Sequence, residues 1–163
     1  MEINGGRWAA QADEGAVLFL IGMRINRWSA VRDWWPVVTA MPRMIRELTD
    51  DPSLGLLSAR YVLDPPRGAT MIQYWRSIED LHAFAAAPGR THRPAWLGFF
   101  RAAYKGEAVG VWHETYVIGG HENVYVNMPA FGLGEAGELG TTAEIGNAAA
   151  DRMRAADRPV GLR

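Results

Sequence analysis

Ala16 to Ile21 (AVLFLI) is an unbroken apolar run with glycine close on either side, the pattern of a strand buried on both faces, and it can extend to Ile25. From Trp28 to Leu48 the pattern changes. Trp28, Val31, Trp35, Val38, Met41, Ile45 and Leu48 recur at threes and fours, which is the spacing of one helical face. Pro36 and Pro42 lie inside that stretch. Each removes an amide donor and crowds the turn before it, so the sequence predicts a kink or two segments rather than one rod. Asp50-Asp51-Pro52 ends the helix, and Leu54 to Leu63 and Ala69 to Trp75 read as two strands of a hairpin around Pro65-Pro66-Arg67-Gly68. Ser77-Ile78-Glu79-Asp80 has the form of a helix start and predicts a second helix from Ile78 to Ala87. Thr91-His92-Arg93-Pro94 begins a third, with Trp96, Phe99, Phe100 and Ala103 on one apolar face. Ala108 to Ile118 and Asn123 to Asn127 alternate and are rich in β-branched and aromatic residues, as strands are. Beyond Met128 glycine and alanine recur, with Thr141, Thr142 and Glu144 offering a helix start toward Ala156.

The resulting order, β, α, β, β, α, α, β, β, is an α+β, ferredoxin-like split βαβ plan with one extra helix and one extra strand. Helices would cover one face of an antiparallel sheet. The other face would carry Trp, Tyr, Met and Val side chains that a lone subunit could not leave in water, so the pattern predicts a homodimer, a dimeric α/β barrel, or a bound ligand. Residues 1–15 read as a flexible N-terminal segment, 16–130 as the barrel domain, and 131–163 as a Gly/Ala-rich tail with a short helix, able to embrace a partner subunit.

Composition narrows the function. A chain of 163 residues, 48% hydrophobic and 21% charged, suits one folded domain. Seventeen basic against 18 acidic side chains give a net charge of -1, which argues against nucleic acid as a partner. The absence of cysteine excludes thiolate chemistry and fits a cytoplasmic setting. The start, MEINGGRWAAQ, lacks the order of a secretion signal, and Arg24 and Arg27 interrupt the later apolar run, so neither export nor a membrane span is expected.

Of the four histidines, His113 stands mid-strand beside Glu114 in an otherwise apolar alternation. In period two it shares a face with Val111 and Thr115, whereas Glu114 faces the other way with Trp112 and Tyr116, so the pair cannot enter one pocket without a bulge. Either residue can pin the strand through a buried hydrogen bond, and His113 can alternatively serve as a general base or a metal ligand. His92 opens the third helix, where the dipole favours a neutral imidazole that could ligate haem iron; an N-terminal capping contact is the alternative. Trp75, Trp96, Trp112, Tyr74 and Tyr116 either build core and interface or line a site for a flat apolar ligand. His82 reads as a boundary residue and His121 as an exposed turn residue. No metal-binding spacing, hydrolase triad or phosphate loop is present.

Five segments, Met41-Pro42-Arg43-Met44, Gln73-Tyr74-Trp75-Arg76-Ser77, His92-Arg93-Pro94-Ala95-Trp96, Trp112-His113-Glu114-Thr115-Tyr116 and Tyr125-Val126-Asn127-Met128-Pro129, occur in an order that resembles a little-characterised bacterial family. That family is similar to the antibiotic-biosynthesis-type monooxygenase of the fungal fumagillin pathway, within the dimeric α/β-barrel superfamily, and the resemblance spans Arg24 to Gly134. It implies a monooxygenase-like oxidoreductase acting on a small hydrophobic molecule in secondary metabolism. The superfamily also includes haem enzymes such as aldoxime dehydratases and plain small-molecule binding proteins, so a haem-dependent enzyme and a non-catalytic binder stand as alternatives. The expected arrangement needs no cofactor: His113, Glu114 and His92 are the catalytic candidates, and Arg76 joins the aromatic residues as a substrate contact. In the haem alternative His92 or His113 is the axial ligand.

Overall fold

The computed structural model describes residues 2–87 and 106–157, with backbone alone at positions 40, 41, 43 and 44. Its strands are β1 (Asn4–Gln11), β2 (Val17–Ile25), β3 (Leu56–Asp64), β4 (Gly68–Trp75), β5 (Val109–Val117), β6 (Tyr125–Met128) and β7 (Glu138–Thr141). The helices are α1 (Val31–Asp50), α2 (Ile78–Ala86) and the short α3 (Leu133–Ala136), α4 (Thr142–Ile145) and α5 (Ala149–Ala156). The third helix predicted from Thr91, with His92, Arg93 and Trp96, lies outside the described residues.

The main sheet is antiparallel with the order β3-β4-β2-β5, the ferredoxin-like arrangement expected of a split βαβ chain. Its central strand β2 pairs along its whole length with β4 and β5, which is why that segment is a continuous apolar run. Odd-numbered residues of β2 point at the helices. Val17, Phe19 and Ile21 pack with Met71, Trp75, Leu48 and Leu81, while Met23 and Ile25 pack with Val37 and Val109. Even-numbered residues Leu18, Leu20, Gly22 and Arg24 lie on the face away from α1 and α2.

α2 begins as the sequence predicts, with the Ser77 hydroxyl accepting from the Asp80 amide at 3.1 Å. α1 departs from expectation: it runs through Pro36 and Pro42 as one helix. Both prolines sit on exposed positions, and Arg32, whose carbonyl Pro36 leaves without an amide donor, is exposed as well, so water can take the missing donor's place. The Thr39 hydroxyl also returns to the carbonyls of Trp35 and Pro36 at 3.1 and 3.2 Å.

Residues 1–15 are not a flexible lead-in. Asn4–Gln11 is the middle strand of a second sheet, ordered β6-β1-β7, so the strand expected around Asn123–Asn127 pairs there and not in the main sheet. The small residues Ala9 and Ala10 are buried in it. Two asparagines extend its ladder. Asn123 holds both the amide and the carbonyl of Ala10, at 2.7 and 2.9 Å, and Asn127 Oδ1 accepts from the Gly6 amide at 2.9 Å. The tail is built in as well: β7 closes the sheet, Glu144 accepts from the Thr141 amide at 2.9 Å at the start of α4, and α5 buries Arg152 against Glu122 (Nε to Oε1 2.8 Å). α3, with Phe131 before it, rests on the β3 and β4 end of the main sheet. No helix among the described residues is long and apolar enough to cross a membrane.

Candidate functional site

β5 pairs with β2 without a shift from Val109 to Val117, so side chains alternate strictly along it. Val111, His113 and Thr115 face the helix side; Trp112, Glu114 and Tyr116 face the other. His113 stands opposite Ile21 with its ring tilted against Phe19, 5.8 Å between centroids. The imidazole is exposed and makes no hydrogen bond among the described residues. Across Phe19 lies buried Gln73, whose Oε1 accepts from Trp75 Nε1 at 2.9 Å.

The opposite face forms an apolar trough with polar rims. Its floor is Leu18, Leu20 and Ile72, all half-buried, with Gly22 at one end. One rim is Glu114 with Tyr116, whose hydroxyl donates to the carboxylate at 2.8 Å. That hydrogen bond, helped by the negative charge, pushes the Tyr116 phenol above its ordinary value. Trp112 lays its indole over Gly22, so close that a Cβ there would stand 2.5 Å from the ring. Trp112 and Tyr116 remain 39% and 50% exposed, a large apolar area on a sheet face.

The other rim combines Arg60 and Tyr74 with Tyr125 from β6. Arg60 and Glu114 sit on one cross-strand row with Ile72 and Leu20 between them, roughly 14 Å apart by strand spacing. The guanidinium stacks on Phe131, 4.2 Å from the ring centroid. The Tyr125 hydroxyl accepts from the Gly134 amide at 3.2 Å. Burial raises both phenols above their ordinary range, and the Arg60 charge works against that rise.

The structure therefore separates the predicted residues. Among the described residues, His113 and Trp75 lie on the helix side, whereas Glu114, Trp112, Tyr116 and Tyr74 share the other face; Glu114 is held by Tyr116 and does not meet His113. Trp75, expected at the substrate, is a core residue, 1% exposed and packed on Phe84. Arg76, expected there too, is exposed and ties β4 to α2: its Nε lies 2.7 Å from Asp80 Oδ2 and its Nη2 donates to the Ser53 carbonyl. His121 is not an exposed turn residue. Its Nδ1 lies 2.8 Å from the Gly119 carbonyl and its Nε2 accepts from the Ala12 amide, which makes it a clasp between two turns. Arg60, Tyr125, Phe131 and Gly22 escape a reading of the sequence, although a lone arginine inside the apolar run LLSARYVL is a signal of a kind.

Comparison with known proteins adds a family and a fold. A family described as Monooxygenase af470-like matches residues 16–133. Among solved structures, aldoxime dehydratase crystallised with butyraldoxime is similar at 22% identity and a TM-score of 0.58, over 69% of this chain and 34% of that one. SnoaB, a cofactor-independent oxygenase from Streptomyces nogalater, aligns at 12% identity and a TM-score of 0.46, over 64% of this chain and 93% of that one. No curated protein sequence matches.

Proposed function

The chain belongs to the monooxygenase af470-like family, and from that membership we propose that it is a cofactor-independent, monooxygenase-like oxidoreductase acting on a small hydrophobic molecule. The observation that carries the assignment to a residue is the exposed imidazole of His113 against Phe19, without a hydrogen bond among the described residues. A base there removes a proton from an activated C–H or phenolic O–H of the substrate, and the resulting anion is electron-rich enough to react with dioxygen. For an activated methylene the reaction balances as methylene plus dioxygen giving carbonyl plus water: one oxygen atom enters as the carbonyl, and the two hydrogens leave with the other as water. The resemblance of the five ordered segments supports a place in secondary metabolism.

The test is oxygen uptake with phenolic and terpenoid substrates. His113→Ala should slow turnover roughly 100-fold, the scale of a lost general base, while Glu114→Gln should leave it within a few-fold because Glu114 faces away. Equal rates for wild type and His113→Ala would remove His113 from the mechanism. A Soret band in the purified protein would replace this reading with the haem-dependent one.

We also propose that a second copy covers the trough face, since Trp112 and Tyr116 lie exposed there. Light scattering should report a dimer, with tryptophan emission shielded from iodide.

A further inference from the structure

Among the described residues, Arg60 is the one charged side chain on the trough face beside the α3 cap, and its surroundings are unusual for an arginine. Its Nε is buried and has no hydrogen-bond partner, and the residue makes no ion pair or hydrogen bond among the described residues. A buried guanidinium donor is ordinarily satisfied, and an unsatisfied one implies a missing acceptor. Phe131 covers one flat face of the group at 4.2 Å, so an acceptor for the unsatisfied Nε must lie in the plane of the guanidinium. Two phenol hydroxyls converge on the same corner: a Cβ built on Gly132 would lie 3.6 Å from Tyr74 Oη and 3.8 Å from Tyr125 Oη. Because Tyr125 Oη already accepts from the Gly134 amide, its own proton is free to donate outward. No carboxylate among the described residues neutralises the cluster. Glu114 lies across the trough and is held by Tyr116, and the Asp64 carboxylate lies against Gly68 at the hairpin end, 2.9 Å from where a Cβ there would sit.

We propose that Arg60, Tyr74 and Tyr125 form an anion-binding subsite for a carboxylate carried on a small, flat apolar molecule. The Nε and Nη edge of arginine matches the two oxygens of a carboxylate side by side, the phenols supply further donors, and the apolar body lies along Ile72, Leu20 and Leu18. The subsite is on the opposite face of the sheet from His113 and does not depend on the oxygen chemistry proposed there.

Titration calorimetry of the whole protein with 2-naphthoate and with its neutral isostere 2-naphthamide tests it. Wild type should bind the acid at least about 10-fold more tightly than the amide, as expected when a charge-assisted hydrogen bond is lost. Arg60→Gln should weaken the acid about 10- to 100-fold and leave the amide unchanged, Arg60→Lys should keep part of the affinity, and Tyr125→Phe should cost a smaller factor. Equal affinity for acid and amide, no binding of the acid, or unchanged binding by Arg60→Gln overturns the proposal. The comparison of acid with amide needs no variant, so it stands even if Arg60→Gln fails to fold. Oxygen uptake in the His113 variants is read separately, and neither result can stand in for the other.

Discussion

At the scale of single residues, Gly22 shows how a missing side chain shapes the sheet face. With any Cβ at this position the Trp112 indole must move, so Gly22→Ala should destabilise the fold by about 1–3 kcal/mol, as overpacking does, and shift the tryptophan emission. Gly22→Ala combined with Trp112→Ala should recover part of that loss, which a denaturation series would show. The phenols make a second case. Burial raises Tyr74 and Tyr125 above the ordinary 10.0, and the hydrogen bond from Tyr116 to Glu114 raises Tyr116. A raised folded value means that the neutral form is favoured by folding, so this stabilisation is complete below pH 10 and is lost as pH climbs through the raised values. The denaturation midpoint should therefore fall above pH 10, and fall less steeply in the Tyr74→Phe, Tyr125→Phe double variant.

Among the elements, β2, β4, β5 and α2 are legible because each carries its own pattern: a buried run, an alternation, a capping serine. β1 is not. Its sequence NGGRWAAQ has no alternation, and its ladder is completed by Asn123 and Asn127 from far along the chain. The continuity of α1 is hidden for a related reason, since proline costs a helix less where the freed carbonyl can reach water, and exposure is a property of the assembled fold. The site is half legible: the period-two rule places His113 and Glu114 on opposite faces, but Arg60 acquires meaning only when Phe131 and Tyr125 arrive from beyond β5. The ion pair between Arg152 and Glu122 can be tested at this scale. Arg152 is only 7% exposed and also donates to the carbonyls of Gly146 and Asn147. Glu122→Gln leaves that guanidinium underpaired and should lower stability by about 1–3 kcal/mol, measured by urea unfolding.

Across the whole molecule, one sheet separates two side chains that carry the proposals: an imidazole on the helix side and a guanidinium on the other, neither hydrogen-bonded nor ion-paired among the described residues. Because the two side chains lie on opposite faces, the proposed proton transfer and anion recognition should vary independently in the His113 and Arg60 variants. The segment from β6 onward supplies Tyr125 and Phe131 to the second rim of the trough, and its attachment rests on β1. Removing residues 1–11 should expose the edges of β6 and β7, lower solubility and abolish naphthoate binding, as gel filtration and calorimetry would report.

The position of β1 also bears on biosynthesis. β1 has partners more than a hundred residues downstream, as the 113-residue separation of Ala10 and Asn123 shows. Until β6 and β7 have been synthesised, that strand waits without these neighbours, and long-range pairing of this kind is slow and prone to trapping. A nascent chain interrupted before β6 therefore leaves β1 as an unpaired strand.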